Sequence, residues 1–287
     1  MTLFDALLND YTLRNVALGS AILGIVSGVL GSFAVLRRQG LMGDALSHAA
    51  LPGVCIAYML TGSKAPLTLM LGAAFTGWLG MWMIIQTIRR TRVDSGSALG
   101  IILTTFFGFG VVLLTVIQKR SDAEQAGLDK FLFGQAAALV TSQVVTMAVL
   151  GSLALAIVLA LFKEFKVLAF DPDFARSLGL PTHAVGNVLT GLLVVAIVIG
   201  LNTVGVILMS AMLVAPAAAA RQWTNSLSTM VLLAAIIGAV SGTTGAILSV
   251  QLSGVPTGPA IVLVLAVFVI VSLVAGSARR KPQKVIA

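Results

Sequence analysis

Two side chains that could bind a metal ion lie close together near the start of the chain. Asp44 and His48 are four residues apart in an apolar stretch that follows Arg37 and Arg38. In a helix, residues i and i+4 lie on the same face, so a carboxylate oxygen and an imidazole nitrogen would share one small volume. Borderline divalent cations accept both ligand types. The spacing therefore predicts a metal contact, and the alternative is a helix-end carboxylate stabilised by the helix dipole.

The chain that must position this pair has the composition of a membrane protein. Hydrophobic residues make up 58% of the 287 residues and charged residues 10%, and the mean hydropathy is +1.06. Soluble domains carry about one quarter charged residues. At roughly 20 residues per span plus connections, this length allows about eight to ten spans. We therefore predict an all-α polytopic membrane protein, with residues 1–287 forming one domain in the lipid bilayer.

The apolar runs predict about nine transmembrane helices. The second run contains Pro52-Gly53, which we expect to interrupt it, and the sixth and seventh runs could also form one broken helix. The apolar stretch 131–139 is too short to span, so we expect it to lie at the interface or to re-enter the membrane. The approximate runs are 14–36, 44–60, 66–88, 95–117, 142–162, 184–201, 204–220, 227–252 and 260–275.

The basic residues predict the orientation of the chain. The net charge is +8, and the Lys and Arg residues cluster in connections that lie on one side of the membrane if there are nine spans. Cytoplasmic loops are enriched in Lys and Arg. We therefore place the N-terminus outside and the C-terminus in the cytoplasm. The positive charge is a topology signal in this interpretation, and we expect no nucleic-acid partner.

Asp44 and His48 alone cannot complete a coordination shell. We expect Ser47 to help, together with Asn202, which lies in a polar break at membrane depth where exposed backbone lines cavities rather than lipid. Other carbonyls, water or a second subunit would supply the remaining ligands. For three sulfur-containing residues, core packing is favoured over metal binding: Cys55, Met209 and Met212.

The longest polar interval, residues 163–183, predicts a short cytoplasmic helix. Asp171 can cap this helix with Pro172 at its first position. Gly179 suits its C-terminal end. The alternatives are an ordinary loop helix and a docking element for a soluble partner. In the second case, the apolar contact would come from two side chains one turn apart, Phe174 and Leu178.

Three segments of the sequence resemble the membrane permeases of ABC importers for manganese, zinc and iron. The first, residues 37–53, contains Met-Gly-Asp-Ala-Leu-Ser-His followed by Leu-Pro-Gly. The second, residues 170–179, is similar to the family's coupling region, and the third, residues 204–217, to the helix that follows it. The segments occur in the family's order, and the resemblance extends over nearly the whole chain.

This resemblance implies a homodimer that works with two cytoplasmic ATPase subunits and an extracytoplasmic metal-binding protein. It matches Asp44 and His48 to family positions associated with metal in the permeation path. The form of the first segment favours manganese, or manganese and iron, as cargo, and zinc is the alternative. The chain would bind no cofactor of its own. The positions that would dock the ATPase are Asp171, Pro172, Phe174, Ala175, Leu178 and Gly179.

The function implied is that of a transport subunit in the bacterial cytoplasmic membrane, crossing it several times. The sequence contains no G-x-x-x-x-G-K-[ST] motif, so we expect ATP hydrolysis in a partner and no enzyme activity in this chain. A competing class is an ion-coupled secondary metal transporter with Asp44 and His48 as the coupling pair. Such proteins often contain internal repeats, and none is evident here. A passive channel or a structural membrane subunit is a third class.

Overall fold

The structure is a computed structural model that describes residues 10–63, 65–119, 139–201, 205–252 and 255–279. Within these ranges, the regular secondary structure is entirely α-helical and contains no strand. The helices are α1 (Tyr11–Leu36), α2 (Gly40–Thr61), α3 (Pro66–Arg90), α4 (Ser95–Lys119), α5 (Thr141–Ala160), α6 (Phe162–Phe170), α7 (Pro172–Ser177), α8 (Thr182–Leu201), α9 (Val206–Arg221), α10 (Leu227–Gln251) and α11 (Thr257–Arg279).

Each of the nine predicted apolar runs contains one long helix. In the described residues, 7 helices are long and apolar enough to cross a membrane: α1, α3, α4, α5, α8, α10 and α11. The polytopic all-helical prediction is confirmed. The count of nine spans and the orientation of the termini stay predictions, and the stretch 131–138 lies outside the described residues.

The two remaining long helices, α2 and α9, depart from an ordinary span for different reasons. Helix α2 has 22 residues, but its first half carries glycines, an acid and a histidine that lower its hydropathy. Helix α9 has 16 residues, which is short for a bilayer about 30 Å thick. Helix α2 carries the Asp44–His48 pair, and α9 follows the predicted polar break at Asn202. The candidate site therefore involves the two long helices that are less apolar or shorter than the other spans.

The expected interruption of the second run at Pro52-Gly53 is wrong. Helix α2 continues through Pro52 from Gly40 to Thr61. A Cβ at Gly53 would overlap the carbonyl oxygen of Gly72 in α3, so the glycine allows close approach of two backbones. Membrane helices commonly tolerate a proline where a neighbouring helix packs closely against them.

Helix α1 lies at the centre of the bundle. In its apolar window 78% of the residues are buried, against 22% for α4, so α4 lies at the periphery. Helix α1 packs against α10 through small residues spaced four apart on both helices, in the pattern of close membrane helix pairs. A Cβ on either glycine of the central pair, Gly24 and Gly238, would overlap the other's carbonyl oxygen.

Candidate metal path and coupling surface

The predicted pair lies on α2 with the expected shared face. His48 Nε2 is 3.5 Å from Asp44 Oδ1, and the side chains are 14% and 36% exposed, respectively. The His48 ring packs edge-on against Phe107 of α4, with ring centroids 4.7 Å apart. Its Nδ1 atom is buried without a hydrogen-bond partner among the described residues. One imidazole nitrogen thus faces a carboxylate, and the other has unused bonding capacity.

Asp44 opens onto a cavity of about 510 Å³ between the end of α1, the start of α2 and helix α9. Ser210 of α9 lines the same cavity as Asp44. The cavity is lined by Val35, Arg38, Gly40, Leu41, Asp44, Ser210, Ala211 and Val214. Two oxygen-bearing side chains from different helices therefore meet in one open space.

The other sulfur and oxygen candidates occupy different environments. Ser47 is fully buried, and its hydroxyl donates to the Gly43 carbonyl oxygen at 2.7 Å within the same helix. Met209 and Met212 are both buried in the core.

The buried Cys55 thiol lies 3.8 Å from the Gly110 carbonyl oxygen, as expected for a packing residue. Asn202 lies outside the described residues.

Sequence reasoning did not select Ser210. It lies between two methionines that drew attention for their sulfur atoms, and the structure buries both. The available signal was a single hydroxyl in the apolar run of α9. Within the described ranges, no group of three or more His, Cys, Asp or Glu side chains could hold a metal ion. A cation at Asp44 would therefore need hydroxyl, carbonyl or water oxygens, or ligands from another subunit.

The short helix predicted within residues 163–183 is present as α7, and its local chemistry is as expected. Its cytoplasmic location stays a prediction. The Phe174 backbone N–H donates to Asp171 Oδ1 at 2.9 Å, with Pro172 at the first helical position. At the other end Gly179 has φ +75°, a conformation that favours glycine. Ala175 is buried against the bundle. This arrangement fixes a short helix on the surface between α6 and α8.

Apolar side chains remain exposed around α7. Phe174 and Leu178 are each about half exposed, as is Phe170 at the end of α6. A groove of about 470 Å³ runs between these rings and the side chains of Lys163 and Lys166. The groove combines apolar and basic groups, which the sequence analysis had not joined into one surface.

Helix α6 connects this surface to the centre of the bundle. Its Phe162 and Phe165 rings pack edge-on against Phe33 of α1, with centroid distances of 5.9 and 5.7 Å. Such aromatic pairs contribute about 0.5–1.5 kcal/mol beyond their buried area. Phe33 lies near the C-terminal end of α1, which also borders the cavity at Asp44. A displacement of α6 would therefore reach one wall of the cavity through direct contacts.

The helical bundle and its mean hydropathy place the chain among polytopic membrane proteins. A family model described as the ABC 3 transport family matches residues 9–276. This chain therefore belongs to the ABC 3 transport family, and its resemblance to metal-uptake permeases is confirmed.

Relatives that are named for metal transport match nearly the whole chain. The zinc transport system membrane protein TroC of Treponema pallidum is 49% identical over 95% of this chain and 92% of its own length. The manganese transport system membrane protein MntC of Bacillus subtilis is 45% identical over 93% of this chain, which spans 62% of that relative. PsaBC from Streptococcus pneumoniae, solved in complex with Fab, matches with a TM-score of 0.83, 31% identity and 94% coverage of both chains.

Proposed function

We propose that this chain is the permease subunit of an ATP-driven ABC importer that carries a divalent transition metal across the bacterial cytoplasmic membrane. The observation that carries the proposal is the Asp44–His48 pair beside the cavity. An acid in a membrane protein's interior costs free energy, so its presence next to an open cavity calls for a function. Family membership and the relatives named for zinc and manganese transport support the same conclusion.

Manganese, or manganese and iron, is the first candidate cargo, and zinc is the alternative. Asp44 and Ser210 supply oxygen atoms, which suit manganese, whereas the His48 imidazole suits zinc and iron as well. The named relatives include one zinc and one manganese system. The extra oxygen ligand from α9 is the feature that favours manganese.

A second copy of the chain completes the path in this proposal. Asp44 is 36% exposed on a helix that lies within a membrane bundle. Lipid tails cannot hydrogen-bond to a carboxylate, so this face needs a polar cover. A homodimer that closes around the cavity supplies that cover and a second Asp44–His48 pair. Additional ligands from the second copy would complete the coordination shell.

The coupling surface consists of the exposed Phe170, Phe174 and Leu178 side chains and the groove beside Lys163 and Lys166. It accepts the ATPase subunits, and an extracytoplasmic binding protein delivers the metal at the other end. Closure of the ATPase pair on ATP moves α7 and α6. The Phe33 contacts pass this motion to the end of α1, which forms a wall of the cavity. The path then alternates between the two sides of the membrane. The site must bind metal weakly enough to release it in each cycle.

Reconstituted transport tests the proposal directly. The permease, its ATPase and its binding protein are placed in liposomes, and uptake of radiolabelled manganese and zinc is measured with and without ATP. ATP-dependent accumulation of manganese supports the proposal, and a preference for zinc changes the cargo only. Uptake driven by a proton or sodium gradient without ATP would support the ion-coupled secondary transporter instead.

The coupling surface gives a separate prediction. Changing Phe174 to Ser should reduce recovery of the ATPase with the purified permease at least tenfold, because exposed aromatic anchors carry a large share of interface energy. Metal binding at Asp44 should be unchanged. The same apolar-to-serine change at the exposed Val140, at the start of α5, is the control and should leave ATPase recovery intact. Native ATPase recovery with Phe174→Ser would mean that docking occurs elsewhere.

A further inference from the structure

We propose that Arg38 is a charge gate that sets how tightly the cavity beside Asp44 holds a divalent cation. This inference rests on the proposed transport function. Its basis is the juxtaposition of a permanent cation with the one acid that lines the same cavity among the described residues. A guanidinium cannot ligate a metal, and it keeps its charge at every physiological pH.

The backbone at Arg38 adopts a conformation that residues with a side chain rarely take. Helix α1 ends in a Schellman motif, in which the Arg38 N–H donates to the Val35 carbonyl and the Gln39 N–H donates to the Ala34 carbonyl. Arg38 occupies the left-handed position of this motif with φ 55°. Glycine is the residue that this position normally takes.

Within the described residues, Arg38 is the sole non-glycine residue with positive φ. The comparable position after α7 carries Gly179 with φ +75°. A side chain retained where the backbone disfavours one is a marker of function. Here the residue is an exposed arginine that lines the same cavity as Asp44.

Arg38 and Asp44 line the same cavity, so the Arg38 charge acts on any cation bound at Asp44. No ion pair within 4 Å joins Arg38 to Asp44 in the described structure, so the carboxylate is available to a cation. A dication at Asp44 would be repelled by the guanidinium across a cavity of about 510 Å³. When the metal leaves, the same guanidinium can approach the carboxylate and neutralise it. Arg38 therefore weakens retention of the cargo and stabilises the empty site.

Four variants separate the effect of the Arg38 charge from the effect of its backbone conformation. Arg38→Gln removes the charge and keeps a side chain at positive φ, whereas Arg38→Gly removes the charge and relieves the backbone. Arg38→Lys retains the charge. Arg90→Gln removes an exposed cation from the corresponding end of α3, away from the cavity, and serves as the matched control.

The measurement is Mn²⁺ titration of the purified permease–ATPase complex in nanodiscs, with Zn²⁺ titrated in parallel. We expect the Kd of the Asp44-dependent site to fall about tenfold in Arg38→Gln and Arg38→Gly, with slower transport per complex. Arg38→Lys and Arg90→Gln should bind as the native complex does. Arg38→Gly should melt no lower than the native protein, because glycine is favoured at this φ.

Two outcomes overturn the inference, and they are distinguishable. If the native complex binds Mn²⁺ through Asp44 but Arg38→Gln binds within twofold of it, the charge does not act on the site and the proposed function stands. If the native complex shows no Asp44-dependent binding of Mn²⁺ or Zn²⁺, the proposed function and the gate fail together.

Discussion

Changing Asp44 to Asn is expected to reduce metal uptake by at least about tenfold, and up to about a hundredfold, while the protein reaches its native level in the membrane. Asparagine keeps the shape of the side chain and its capacity to accept a hydrogen bond. It removes the negative charge that attracts a dication into the cavity. The side chain is 36% exposed, and asparagine is neutral. The substitution therefore introduces no buried charge, and we expect the protein to fold.

His48→Gln is expected to give a loss of similar size. Glutamine retains a polar side chain of comparable length beside Phe107, whereas alanine would also leave a void at that aromatic contact. Glutamine therefore tests the imidazole as a ligand more cleanly than alanine does. The measurement for both variants is the initial rate of radiolabelled manganese and zinc uptake, divided by the amount of permease in the membrane.

Asp94→Asn is the matched control for the loss of charge. Asp94 is an exposed acid before α4, where its Oδ2 accepts from the Ser97 backbone N–H at 3.1 Å. Asparagine retains that cap, so uptake should stay at the native rate. Native uptake by both Asp44→Asn and His48→Gln would show that the pair is only a helix-end feature. The transport path would then have to lie elsewhere in the bundle.

The features that sequence predicts well are those set by neighbours along the chain. Asp171 and Pro172 begin α7, and Gly179 follows it, because caps and left-handed positions depend on a few consecutive residues. Asp44 and His48 share a face for the same reason, since one helical turn fixes their spacing. These contacts require no knowledge of the tertiary fold.

The features that sequence could not predict depend on contacts between distant segments. Ser210 shares a cavity with Asp44 only because α9 packs beside the start of α2. The uninterrupted helix at Pro52 depends on close packing of Gly53 against α3, which no local rule for proline includes. A single serine in an apolar run and a proline in a helix are each ambiguous until the facing helix is known.

Introducing a bulky side chain between α1 and α10 should have the largest effect on folding. A Cβ at Gly24 would overlap the Gly238 carbonyl oxygen, and backbone cannot move aside as a flexible side chain can. We expect Gly24→Ala to lower the free energy of unfolding by about 1–3 kcal/mol. Gly24→Leu should prevent accumulation of folded protein, because separating the helices would expose the centre of the bundle.

Thermal melting followed by size-exclusion chromatography in detergent measures both effects. Gly100→Leu is the matched control, since no atom lies within 4 Å of a Cβ built at Gly100 on the peripheral helix α4. This control should accumulate and melt like the native protein. Native accumulation and melting of Gly24→Leu would mean that α1 and α10 do not meet through these glycines.

The glycine and aspartate variants should also differ in the quantity they change. Gly24→Ala is far from the cavity residues and alters the population of folded permease, so uptake per folded molecule should stay near native. Asp44→Asn should leave the folded population unchanged and lower uptake per molecule. If Gly24→Ala reduced both quantities together, the α1–α10 contact would itself move during transport, since α1 also forms a wall of the cavity.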